Sequence, residues 1–269
     1  MEARYGRWTA SLLSEPAYHF QTLRVFNDIP AGGADTGEIF QAIRSVRSGD
    51  AQSWYAGWEA AARCALELAA EARNGPSRGG ALLRAHTYLR TAQFMLPPND
   101  PKRPDAFTRD NAAFYEGLQT LGVRHELLRA PYSGTHLKAD YYPGPEGAEA
   151  RPLIVFCGGL DSTLEELYFS LKAAAVERGY SLLTFEGPGQ GSALREQGLI
   201  FTHEWGKPTG AVLDEFLAHH TRPAKIVLVG MSMGGFLAPR AAAFDARFDG
   251  VVAFDVVRIS HRRSTPANG

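Results

Sequence analysis

Gly230-Met231-Ser232-Met233-Gly234 sets a serine between two glycines at the spacing Gly-x-Ser-x-Gly, directly after the apolar run Ile226-Val227-Leu228-Val229. An alanine-rich segment, Leu237-Ala238-Pro239-Arg240-Ala241-Ala242-Ala243, follows it. This is the strand, sharp turn and helix that a nucleophile elbow requires, with glycine at the two positions where a side chain would clash. The turn lifts the Ser232 hydroxyl above the sheet edge, and the next helix aims its first amides at the same point, where they can stabilise a negative oxygen. Ser232 is the candidate nucleophile and the Met233 amide a candidate oxyanion donor. A plain small-residue turn between a buried strand and a helix would also fit the five residues; the flanking pattern favours the elbow.

Two further glycine loops come after predicted strands. Cys157-Gly158-Gly159-Leu160-Asp161-Ser162-Thr163 offers the Gly159 and Leu160 amides as oxyanion donors opposite Met233. Asp161 suits acid–base chemistry on a substrate, and equally a cap on the helix starting near Thr163. Glu186-Gly187-Pro188-Gly189-Gln190-Gly191 lacks the Gly-Lys-Ser/Thr ending of a phosphate-binding loop, and the Ser232 turn lacks dinucleotide spacing. Neither loop therefore calls for a nucleotide, and no cofactor is expected.

The elements that must position these loops change character along the chain. From Thr36 to about Gly122 the period is helical: Ile39, Phe40, Ile43 and Val46 share a face behind a Thr36 cap, and Trp54, Trp58, Ala61, Ala65 and Leu68 share the next. Asn74-Gly75-Pro76 ends that second helix. A third helix runs from Gly80 to Met95 before a proline cluster, and a fourth from about Ala106 to Leu121. The aromatic residues at helical spacing, with His19 and His86, read as core rather than as a ligand pocket. Segments 124–130 and 135–142 alternate as a hairpin with one wet face, broken by Pro131-Tyr132-Ser133-Gly134. From Pro152 onward strands (153–156, 181–185, 226–229, 250–254) alternate with helices (164–178, 210–219, 236–244), which predicts a mostly parallel α/β sheet with chemistry outside the carboxyl ends of its strands.

At 269 residues with a net charge of −1, the chain has room for a helical region over 1–122, an α/β core over 123–257 and an irregular tail over 258–269. Without a basic cluster or an apolar run of membrane-spanning length, neither nucleic acid nor a membrane is expected as a partner. Cys64 and Cys157 form neither a disulfide framework nor a metal-ligand spacing. The expectations are a cytoplasmic protein, a small-molecule substrate, no metal, and a homodimer as the one candidate assembly.

The three loops in this order behind a helical N-terminal region resemble the α/β-hydrolase superfamily, in the branch similar to 2,6-dihydroxypseudooxynicotine hydrolase and the fungal polyketide-shortening hydrolases of pigment and polyketide-peptide pathways. The similarity runs from about Tyr5 to Asp255. It implies a helical cap, an active site between cap and sheet, and hydrolysis of a carbon–carbon bond next to a ketone or of an ester. It also implies a nucleophile at Ser232 and an acidic functional residue after the third strand at Asp161.

One departure stands against the matches. In this fold the acid and the histidine of the triad come after the serine on later loops, and only residues 233–269 lie beyond Ser232 here. The segment from Val257 to Gly269 is polar and basic with no strand pattern, so the final strands are expected to be missing and the chain to be C-terminally truncated. Asp255 and His261 are the residues present that could stand in for the acid and base; His219 and His220 instead end the helix before the elbow strand. A serine without an adjacent base stays protonated and weakly nucleophilic. The alternative expectation is therefore a non-catalytic relic of the fold that binds a small hydrophobic ligand or a partner.

Overall fold

A computed structural model of the protein describes residues 12–145, 147 and 151–254; Asp255, His261 and the tail lie outside them. The chain divides into two compact units, residues 1–124 and 125–269.

The first unit is helical: α1 (Pro16–Asn27), α2 (Thr36–Ile43), α3 (Ala51–Glu71), α4 (Gly75–Phe94) and α5 (Lys102–Thr120). Aspartate and asparagine side chains start three of these. Asp35 accepts from the Gly37 and Glu38 amides, Asp50 from those of Gln52 and Ser53, and Asn74 from that of Ser77. The cap of α2 is thus Asp35, with Thr36 the first helical residue. Asn74-Gly75-Pro76 opens α4 instead of merely ending α3, since proline is suited to a helix's first turn. The helix α1 carries no strong apolar period, and the sequence pattern does not reveal it.

Trp54, Trp58 and Tyr88 are fully buried, with ring centroids 5.5 Å apart for the tryptophans and 5.9 Å for Trp58 and Tyr88. Residues 81–93 of α4 are buried apart from the half-buried Arg84, so this helix has no solvent stripe. Two expected core positions are exposed: Phe40 at 50% and Leu68 at 49%. The helical repeat carries the buried stripe of α3 through Ala62, Ala65 and Ala69 instead, leaving Leu68 beside it.

The second unit contains β1 (Glu126–Tyr132), β2 (Thr135–Tyr142), β3 (Leu153–Cys157), α6 (Leu164–Leu167), α7 (Ala173–Glu177), β4 (Ser181–Phe185), α8 (Gly191–Arg195), α9 (Gly206–His219), β5 (Ile226–Met231), α10 (Gly234–Ala242) and β6 (Gly250–Phe254). The single helix expected over 164–178 is interrupted by a π turn at Tyr168–Lys172. The sheet order is β1-β2-β4-β3-β5-β6, antiparallel from β1 to β4 and parallel from β4 through β3 and β5 to β6. The hairpin turn is tighter than the sequence suggests. Only Ser133 (φ +46°) and Gly134 (φ +78°) leave the ladder, and two left-handed residues match the twist of the flanking strands. Pro131 stays within β1, at the sheet edge where no ladder donor is needed.

Alternate residues Leu153, Val155, Leu183, Phe185, Ile226 and Leu228 pack with Val212, Leu213 and Phe216 of α9 and Leu237 and Ala238 of α10. On β2, the fully buried Asp140 holds the hairpin to the chain entering it. His125 Nδ1 lies 2.9 Å from its Oδ1, and Tyr142 donates to its Oδ2 at 2.8 Å. The hydrogen bond to Asp140 raises the His125 pKa, and burial raises that of Asp140 despite His125's opposing pull. A native pKa above the unfolded one contributes stability that is complete below the unfolded value, about 6.5 for histidine, and is lost as pH rises through the native value. The carboxyl has the same sign in the acid range. His125→Ala is expected to cost about 1.5 kcal/mol at pH 6. Thermal unfolding against pH checks this: the gap between wild type and variant should narrow from pH 6 to pH 9.

Candidate active site

Strands β3 and β5 are parallel neighbours in register, with Cys157 opposite Gly230, so their chains leave the sheet side by side at the same level. The two loops they launch must share one small space. A Cβ on Gly230 would lie 1.9 Å from the Gly234 carbonyl oxygen, and one on Gly234 would lie 2.6 Å from that of Gly158. Only hydrogen fits at either position, which is the physical content of the Gly-x-Ser-x-Gly spacing. Between them Ser232 sits at φ +58°, a left-handed conformation that costs a side-chain-bearing residue about 1–2 kcal/mol. The elbow is tied down on both sides: Ser232 N–H donates to the Phe254 carbonyl at 2.9 Å, and Gly235 N–H to the Ser232 carbonyl at 2.8 Å.

The first glycine loop lies against this turn. A Cβ on Gly159 would sit 2.9 Å from Ser232 Cβ and 3.0 Å from its Oγ. Ser232 and Gly159 are therefore adjacent, Ser232 half-buried and Gly159 buried. The Met233 amide precedes the first residue of α10 and, like the Leu160 amide, meets no acceptor among the described residues. The Gly159 amide differs from expectation: it donates to Ser162 Oγ at 2.8 Å and is thereby committed within its own loop. Gly159 contributes closeness, and Leu160 and Met233 are the amides left for an oxyanion.

Asp161 is exposed on the same loop. The amide of Leu164, the first residue of α6, donates to Glu186 Oε1 at 2.8 Å. Sequence reasoning missed this. The second glycine loop is a brace for the first: buried Glu186 also accepts from the Ser192 amide and hydroxyl, and buried Gln190 reaches the Gly158 and Gly159 carbonyls. Acid and amide side chains inside a glycine-rich loop after a buried strand are the only signal the sequence carries for it.

Among the described residues no imidazole hydrogen-bonds the Ser232 hydroxyl. His219 ends α9 with Nδ1 3.0 Å from the Glu215 carbonyl, and His220 Nε2 is 3.1 Å from a Glu126 carboxylate oxygen. Burial pushes the Cys157 thiol up to about 12, so the sulfur beside the loop is not a thiolate that could compete with Ser232 at neutral pH. Among the described residues no group of histidine, cysteine and carboxylate side chains is arranged to hold a metal, and no helix is long and apolar enough to cross a membrane. A cavity of about 650 Å³ lies elsewhere, along α9 and the chain after α10. Lys207 pairs there with Glu204, and Arg247 with Asp245 and Asp214, while Arg240 donates to the His203 carbonyl and lies over the Phe244 ring.

Two substitutions test the elbow. Ser232→Gly is expected to be more stable than Ser232→Ala by about 1 kcal/mol, because glycine relieves the left-handed strain and alanine keeps it. Gly230→Ala should cost about 3 kcal/mol or more, since the obstructing atom is backbone. Chemical denaturation of the three variants reads both.

Residues 154–266 match the sequence profile described as the alpha/beta hydrolase family. The chain is 38% identical to the hydrolase acrC of Aspergillus aculeatus, covering 88% of this chain and 61% of that protein. It is 34% identical to the 20-hydroxy-prefusarin hydrolase FUS2 of Gibberella moniliformis, covering 88% of this chain and 60% of that one. It spans about 60% of the length of the curated relatives it matches. Among solved structures, 2,6-dihydroxy-pseudo-oxynicotine hydrolase superposes with a TM-score of 0.62 at 24% identity, covering 83% of this chain and 62% of that chain, which is a likeness of fold. With its three glycine loops, its mixed six-stranded sheet and these relatives, the chain has an α/β-hydrolase fold and is similar to the alpha/beta hydrolase family and to the fungal hydrolases within it.

Proposed function

We propose that this chain carries the nucleophile half of a serine hydrolase of secondary metabolism, acting on a polyketide-like small molecule at an ester or at a carbon–carbon bond next to a ketone. The observation that carries the reading is Ser232 at φ +58° with Gly159 in contact with its hydroxyl. Strain of this kind persists where the surroundings over-determine it, and the loops that meet at this serine carry two amides, of Leu160 and Met233, without an acceptor among the described residues. The substrate class rests on the family branch; one relative's name specifies 20-hydroxy-prefusarin as what that protein hydrolyses.

In this mechanism Ser232 Oγ adds to the substrate carbonyl carbon as a base removes its proton, and the carbonyl π electrons move to oxygen. The Leu160 and Met233 N–H groups hold that oxyanion. Collapse of the intermediate breaks the bond to an alkoxide, or to a carbanion that an adjacent ketone stabilises as an enolate. The leaving group takes up a proton, and water then releases the acyl group from Ser232. Asp161, exposed beside Leu160, is the acid–base residue this reading assigns to the substrate side. A second reading, a non-catalytic hydrolase fold that binds a hydrophobic ligand or a partner, draws support from the lack of an imidazole on the Ser232 hydroxyl among the described residues.

Labelling with a fluorophosphonate probe separates the two. The enzyme reading expects labelling of the wild type, complete loss in Ser232→Ala, and a roughly tenfold or greater slowing in Gly159→Ala, whose methyl would crowd the hydroxyl. Silence of the wild type favours the binding reading.

A further inference from the structure

The loop that offers the Leu160 amide contains two consecutive glycines, and nothing in glycine's own backbone preference fixes which way a peptide plane between them or after them turns. Some other group must set it. Gln190 is 2% exposed and is the first residue outside α8, in the second glycine loop. Its Nε2 donates to the Gly159 carbonyl at 2.7 Å and to the Gly158 carbonyl at 3.0 Å, while its Oε1 accepts from the Gly187 amide at 2.9 Å. These partners leave no choice of amide orientation, because exchanging nitrogen and oxygen would set a lone pair against two carbonyls and an N–H against an N–H.

The peptides concerned are trans, so each carbonyl and the next N–H along the chain point to opposite sides of it. Holding the Gly158 carbonyl turns the Gly159 N–H away from Gln190, where it meets Ser162 Oγ at 2.8 Å. Holding the Gly159 carbonyl turns the Leu160 N–H away likewise, and that amide has no acceptor among the described residues. Gly159 itself is wedged between Gln190 on its carbonyl and Ser232, whose Oγ would lie 3.0 Å from a Cβ there.

We infer that Gln190 is the positioning residue of the oxyanion site, fixing the Gly159–Leu160 peptide so that the Leu160 N–H faces the Ser232 hydroxyl. The inference deepens the hydrolase reading and rests on it for its chemical meaning, though the peptide orientation can be measured separately. Gln190 touches no reacting atom; it acts through the peptide it holds. Glu186 keeps the two loops together by other bonds, to the Leu164 amide and to Ser192, so the loop can lose Gln190's amide without losing its attachment.

The test uses Gln190→Met, similar in length with no hydrogen bonds to give, and Gln190→Glu. Phenylboronic acid is the probe: boron accepts the Ser232 oxygen, the hydroxyl proton leaves to solvent, and the tetrahedral anion places an oxygen where the oxyanion would be. Boronate affinity is measured beside thermal unfolding and the 1H–15N position of the Leu160 amide. Gln190→Met is expected to bind boronate roughly tenfold or more weakly, with near-unchanged melting and a displaced Leu160 resonance. Gln190→Glu should be as weak at neutral pH and recover as pH falls, because only the protonated acid can donate to a carbonyl. Wild-type affinity in Gln190→Met with an unmoved Leu160 resonance overturns the inference. If wild type and Ser232→Ala bind boronate equally, the hydrolase reading is what fails; the Leu160 resonance in Gln190→Met then decides the role of Gln190 alone, displaced for it and unmoved against it.

Discussion

Two chains leaving a parallel sheet side by side, after Cys157 and after Gly230, have to pass within van der Waals distance of each other, and the site exists because glycine lets them. At Gly234 and Gly159 the space a Cβ would need is filled by backbone or by Ser232 itself. The absence of those side chains lets the turn of α10 and the loop after β3 come together around Ser232, which holds a left-handed conformation. The close approach has a local result: the half-buried Ser232 and the buried Gly159 share one small space, with the Leu160 and Met233 amides next to them in sequence and without an acceptor among the described residues.

Such an approach would be loose if the first loop depended on its own residues. It gains definition from buried polar groups on its neighbour. Glu186 and Gln190 are each 2% exposed, and the bonds they make run to amides and carbonyls of the 158–164 segment or within their own loop. A buried carboxylate or amide is costly unless its hydrogen bonds are made, so these residues favour one arrangement of the two loops over others of similar compactness. The glycines supply nearness, and the acid and the amide supply order.

The helical unit is built on a different principle. Trp54, Trp58 and Tyr88 fill its centre, and α4 is enclosed over residues 81–93 apart from Arg84, with Trp54 Nε1 donating to the Thr91 carbonyl at 2.8 Å and the Tyr88 hydroxyl donating to Glu38 at 2.7 Å. These large aromatic rings fill the core, and Trp54 and Tyr88 keep their polar atoms bonded, whereas Trp58 Nε1 is buried without a hydrogen-bond partner among the described residues. Reading them as core from helical spacing agrees with the burial found, whereas Phe40 and Leu68 show how an apolar residue one step off the stripe can remain in solvent.

The sequence by itself determined the class of fold and the bend at Ser232. Period-two and period-3.6 patterns report which face of an element is buried, and paired glycines report where a backbone passes too closely for a side chain; both are local facts written in residue types. Strands 181–185 and 250–254 were legible to the residue for that reason. Tertiary structure alone decided what each loop amide does. It gave the Gly159 N–H to Ser162, set the Glu186 carboxyl on the first amide of α6, and made Gln190 a brace across more than thirty residues of chain. Hydrogen bonds between loops depend on distances that no local period encodes, so they become visible only when the strands that launch those loops lie side by side.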